Sequence, residues 1–143
     1  MSSSWPEFSL AWFVAASLEA LREECPEAYT LMCAQLAPRR ARLVIEGETV
    51  TLAFAASEAR LLKQSRRPSV QLTTTRQIIL NVIDARLSLE EAVLADAIVL
   101  KGHLNDLSAF HAGLISYVRG AVRCPSFPPL LDRFRYETTR RAT

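Results

Sequence analysis

His103 and His111, with Asp106 between them and Tyr117 further along, are the residues whose types best suit proton transfer in this chain. A His-Asp pair can serve as a general base. His111 follows His103 by about two helical turns, whereas a helical metal-binding pair is spaced by about one, as in HExxH, which the chain lacks. Cys25, Cys33 and Cys124 could act as nucleophiles, but none has a histidine close by in sequence, and free cysteine is often simply buried. Neither GxSxG, GxGxxG nor a phosphate-binding loop occurs, and four glycines leave little room for a nucleotide site built from backbone amides. No metal and no cofactor is expected. If the chain catalyses anything, His103, Asp106, His111 and Tyr117 are the weak candidates.

The elements that would position such groups follow from length and pattern. A chain of 143 residues is read as one domain, and half of its residues are apolar, so it can bury a sizeable core without a metal or disulfide. An odd number of cysteines at irregular spacing points to reduced thiols and a cytoplasmic location. Arginines dominate the basic residues and sit in small clusters: Arg39, Arg40 and Arg42; Arg66 and Arg67; Arg133 and Arg135; Arg140 and Arg141. The net charge is only +2, acidic residues are interspersed elsewhere, and no long basic stripe appears. They are read as solvated surface, with no nucleic-acid partner and at most peripheral membrane contact.

FSLAWFVAASLEAL is apolar but lacks a positive n-region and is too short to span a bilayer, so it is read as a buried or partner-facing helix. Its start is placed at Ser4-Trp5-Pro6-Glu7 and its end near Glu24. Leu10, Phe13, Val14, Ser17, Leu18 and Leu21 form one face. Its aromatic residues keep a homodimer through this helix in view. A second helix starts at Pro26 and ends before Pro38.

From Ala41 the period becomes two, and ARLVIEGETVTLAFA reads as a hairpin turning at Glu-Gly-Glu. Residues 59–63 are either a strand or a helical turn. Ser69 to Thr73 is a strand, and Thr74 or Thr75 caps the next helix. Ser88 and Glu91 form a capping box. Ala97 to Lys101 is a strand closed by Gly102. A long helix then runs from about Asn105 to Val122, with Leu107, Phe110, Leu114, Tyr117 and Val118 on its face. Pro125, Pro128 and Pro129 forbid its continuation, and the polar, basic tail is expected to fray. Grouped strands followed by interposed helices imply an α+β fold, with helices on one face of a mostly antiparallel sheet of about five strands.

This order, carried by SVQLTT, RQIILNVIDA, RLSLEEAVLAD, AIVLKG and HLNDLSAF, resembles the sterol carrier protein type 2 family. The resemblance covers roughly residues 41–120, with 1–40 as an added N-terminal helix pair and 123–143 as a Pro-rich, basic tail. Where the family often has glycine, this chain has Asp84-Ala85 after the first helix of the pair and Ala95-Asp96 before the last strand. Asp tolerates the backbone angles of such turns.

The resemblance implies a curved sheet covered by helices, enclosing an apolar tunnel for acyl, sterol, isoprenoid or polyketide-like groups. By analogy the walls would be Leu52, Phe54, Leu72, Ile78, Ile79, Val82, Ile83, Val93, Leu94, Ile98 and Leu100. The implied role is a carrier, or an accessory protein to a biosynthetic enzyme. Two alternatives stand beside it: an enzyme that folds or cyclises a hydrophobic intermediate in the same cavity, and a non-catalytic interaction module.

Overall fold

The alternation that begins at Ala41 builds the sheet. In a computed structural model that describes residues 8–63 and 67–142, β1 (Arg40–Ile45) and β2 (Glu48–Ala55) pair antiparallel across the turn Glu46-Gly47. Both turn residues have positive φ, 49° and 84°, as a tight two-residue hairpin requires, and glycine supplies the second without strain. β3 (Glu58–Leu62) pairs antiparallel with β2, so residues 59–63 are largely strand rather than helical turn. β4 (Val70–Thr74) lies on the other side of β1 and parallel to it, and β5 (Val99–Gly102) closes the order β3-β2-β1-β4-β5. The result is the expected α+β fold, with one parallel pair in an otherwise antiparallel sheet.

One sheet face carries the core. Ala41, Ile45, Val50, Leu52, Phe54, Val70 and Leu72 are buried on it. The opposite face is more polar, except that Thr51 is buried between its register partners Arg42 and Leu62.

α1 (Leu10–Glu24) buries the face its spacing predicts: Leu10, Phe13, Val14, Ser17, Leu18 and Leu21. Its start differs from expectation. Ser9 is the N-cap, accepting a hydrogen bond from the Trp12 amide at 3.0 Å, while Ser4–Glu7 lies outside the described residues. α2 (Pro26–Leu36) begins with proline in its first turn, where no amide hydrogen is needed. α3 (Arg76–Ile83) is capped by Thr75, and α4 (Leu89–Leu94) by the Ser88-Glu91 box, with both of its hydrogen bonds formed.

α5 (Leu104–Ala121) departs from its predicted face. Phe110 is buried, but the other fully buried positions are small: Gly113, Ser116, Gly120 and Ala121, while Val118 is exposed. α2 packs onto this small-residue groove. A Cβ on Gly120 would sit 2.5 Å from Leu21 Cδ1 and 2.6 Å from Ala28 Cβ, and one on Gly113 would collide with Leu36. Apolar periodicity tracks large side chains, so it missed a face selected for close approach.

The tail is the largest correction. Residues 127–142 form a further helix, α6 (Phe127–Ala142), instead of fraying. α5 ends at Ala121, ahead of Pro125, while Pro128 and Pro129 occupy the first turn of α6, which has no intrahelical use for their missing amide hydrogens. Phe134 is 0% exposed and forms a second apolar cluster with Phe13 and Leu80. The basic residues are partly neutralised: Arg140 pairs with Glu137 at 2.8 Å, and Arg135 with Asp84.

Candidate ligand-binding site

α3 and α4 connect β4 to β5, and their sequence sets their character. Ile78, Ile79, Val82 and Val93 are β-branched, weak helix formers that need packing to hold a helix. All four pack on the main core yet remain half-buried. Of the other wall residues, Leu52, Phe54, Leu72 and Ile98 are buried in that core, and Leu100 is half-buried against it. Ile83 and Leu94 are not part of it: they are 42% and 85% exposed. The eleven residues expected to form this wall are thus not equivalent: those on the sheet are mostly buried, and those on the helices are covered incompletely.

The links around this wall are conformationally special. Ala85 and Asp96 adopt left-handed φ of 59° and 60°. These are the two turns where glycine was expected on the resemblance, so the backbone shape is kept without the glycines. For alanine that conformation costs about 1–2 kcal/mol.

Both ends of α3 are anchored by charged residues whose pairing the sequence reading did not foresee. Arg76, at the first helical position, is 2% exposed. It forms an ion pair with Glu48, and its guanidinium lies 5.1 Å and 5.9 Å from the ring centres of Phe8 and Phe134. The hairpin carboxylates reach two helix starts: Glu46 accepts from the Arg76 amide and Glu48 from the Leu10 amide, each at 2.7 Å. Negative charge there complements the helix dipole. A cation at a helix N-terminus opposes that dipole, and this was the available sign that Arg76 has a carboxylate partner. At the other end, Arg135 donates two hydrogen bonds to Asp84, at 2.7 Å and 2.9 Å. These bonds hold the Asp84 carboxyl below its ordinary pKa.

The proton-transfer candidates are dispersed. His103 and Tyr117 are about 21 Å apart along α5. His103 is the exposed N-cap of that helix, and His111 is exposed. Asp106 accepts from Arg39 Nε at 2.7 Å. Tyr117 donates to Ser17 Oγ at 2.8 Å, and burial pushes its phenol up to about 12, so it stays protonated at neutral pH. Burial also raises the thiols of Cys33 and Cys124. Among the described residues no cluster of His, Cys, Asp or Glu suits a metal ion.

A cleft of about 300 Å³ lies elsewhere, between α1, α2 and β3. Leu18 and Leu61 are apolar in its lining, while the ion pairs Arg22–Glu19 and Arg60–Glu58 bring charge to it. None of the wall residues named above lines it. The aromatic residues of α1 are engaged within the chain: the Phe13 and Phe134 rings pack with centres 4.8 Å apart and planes tilted by 45°, and Arg133 lies over Trp12 at 4.9 Å.

No protein-family model and no curated protein matches this chain. Solved structures do. A crystal structure of sterol carrier protein 2 superposes with a TM-score of 0.57 at 18% identity, covering 83% of this chain and 99% of that one. The fold is that of sterol carrier protein 2. The UbiJ-SCP2 ubiquinone synthesis protein shares it, with a TM-score of 0.54 at 12% identity over 76% of this chain and 99% of its own. So does sterol carrier protein 2 from Yarrowia lipolytica in its apo form, at 0.52 and 11%, over 73% and 88%. The sterol carrier protein 2 fold thus agrees with the expected α+β fold and its mostly antiparallel sheet of five strands. Among the described residues no helix is long and apolar enough to cross a membrane.

Proposed function

We propose that this protein binds a lipid or other hydrophobic biosynthetic intermediate between α3–α4 and the β4–β5 end of the sheet. It acts there as a carrier or as an accessory to a biosynthetic enzyme. The observation that carries this reading is the half-buried wall of Ile78, Ile79, Val82 and Val93, continued by exposed Ile83 and Leu94. A helix pair that merely filled a core would bury these side chains.

The chemistry required is simple. Each methylene removed from water contributes about 0.8 kcal/mol, so an acyl or isoprenoid chain is held by apolar walls with few polar handles. Two fold neighbours are named as a sterol carrier protein and a ubiquinone synthesis protein, which supports this class of ligand. The chain works as one domain in this reading, in the cytoplasm, with α6 as an integral helix.

Native mass spectrometry with lipid extraction tests the proposal. A co-purifying hydrophobic molecule, displaced in an Ile79→Asp variant that remains folded, is the expected result. A protein that carries no lipid and takes up neither a fluorescent fatty acid nor an isoprenoid overturns it.

A further inference from the structure

α3 is held at three points, and α6 takes part in all of them. Its first residue, Arg76, is fixed by Glu48 and lies against the rings of Phe8 and Phe134. Its middle, Leu80, is buried with Phe13 and Phe134 rather than in the main core. Its C-cap, Asp84, is gripped by both terminal nitrogens of Arg135. The first two attachments are buried, whereas the third is open to solvent, with the two side chains 45% and 28% exposed. Immediately after it stands Ala85, in a left-handed conformation that a side chain disfavours. A weak, solvent-accessible tie therefore adjoins a strained backbone position, at the point where α3 turns into α4.

We infer that α6 is a latch on the apolar wall, with the Arg135–Asp84 ion pair as its catch and Ala85 as the hinge about which α4 and the end of α3 swing out. Release of the catch frees Ala85 to leave the left-handed region and parts Val82 and Val93 from the core, opening a way in for a hydrophobic ligand. The ligand part of this inference rests on the proposed function; the mechanical part does not. An exposed ion pair suits the role, since it is weak enough to break repeatedly and is screened by salt.

The experiment has two arms, both on the full chain. Amide hydrogen exchange of the ligand-free protein is compared between wild type, Arg135→Gln and the charge exchange Asp84→Arg with Arg135→Asp. Stopped flow then follows release of cis-parinaric acid, a fluorescent fatty acid, from the same proteins. Arg135→Gln is expected to speed exchange of the amides of residues 81–87 about two- to fivefold, matching an exposed ion pair, and the charge exchange to reverse it. Added salt should speed exchange in wild type and not in Arg135→Gln. Probe release should accelerate by a similar factor. Unchanged exchange and release in Arg135→Gln overturns the latch, as does an acceleration that the charge exchange leaves in place. If wild type takes up no probe while the amide arm behaves as expected, the latch stands and the lipid-binding reading falls.

Discussion

On one side of the helical layer, α2 and α5 meet across Gly113 and Gly120, so closely that a single added carbon would overlap Leu36, Leu21 or Ala28. On the other side, α3 and α4 present Ile78, Ile79, Val82 and Val93 only half-buried, joined through a left-handed alanine. The first contact has one solution, because close-packed atoms leave no alternative arrangement. The second retains uncovered apolar surface and a backbone position with somewhere better to go. A closely packed flank and an incompletely covered one on the same sheet are the pairing that the proposed opening around a hydrophobic ligand would use.

The contrast can be broken most severely through the residue that ties the deformable side to the rest. Phe134→Ala removes a fully buried ring shared with Phe13 and Leu80, and should lower stability by about 3–5 kcal/mol in urea unfolding. A loss below about 1 kcal/mol would mean that α6 is the frayed tail the sequence suggested.

Gly120→Ala tests the rigid flank. The substitution gains about 1 kcal/mol of helix propensity. It also overpacks a contact at 2.5–2.6 Å, which typically costs about 1–3 kcal/mol. Net destabilisation is expected, together with a lower urea midpoint. A stabilised variant would show that α2 can move away and that the two flanks are alike.

Ala85→Gly should do the opposite. Glycine relieves the left-handed strain but leaves a more flexible unfolded chain, so a gain of up to about 1 kcal/mol is expected. The two small-residue exchanges thus carry opposite signs, and thermal unfolding of both variants reads the contrast directly.

The smallest effect is electrostatic. Arg135 lowers the Asp84 pKa by hydrogen bonding to the carboxylate in the folded protein. A depressed folded pKa contributes stability that is present above the unfolded value of about 3.9 and is lost as pH falls through the folded one. Wild type should therefore exceed Arg135→Gln in urea midpoint at neutral pH, and the gap should close as pH falls below about 4. A gap that persists in acid would assign the effect of Arg135 to packing.

Much of the frame could be read from local pattern. Period-two alternation over residues 41–55, the buried face of α1 and the Ser88-Glu91 box all depend on neighbours in sequence, and each took the predicted form. The burial of Leu52, Phe54 and Leu72 was legible for the same reason. What failed depended on distant partners. Pro128 and Pro129 read as breakers because their place in the first turn of α6 is secured by Phe134 meeting Phe13 and Leu80. Gly113 and Gly120 carried no apolar signal, since their purpose is to let α2 approach.

Residue type and spacing by themselves determined most of the strands and helices before residue 123, residues 59–63 excepted, and which side of β1, β2 and β4 faces the core, because those choices are made over a few residues of backbone. Only the tertiary structure decided that the hairpin carboxylates Glu46 and Glu48 reach the starts of α3 and α1, that Arg76 is buried beside the rings of Phe8 and Phe134, and that Arg135 grips Asp84 from a helix some fifty positions away. Charge pairing and close approach are set by distance in space, which no local periodicity encodes.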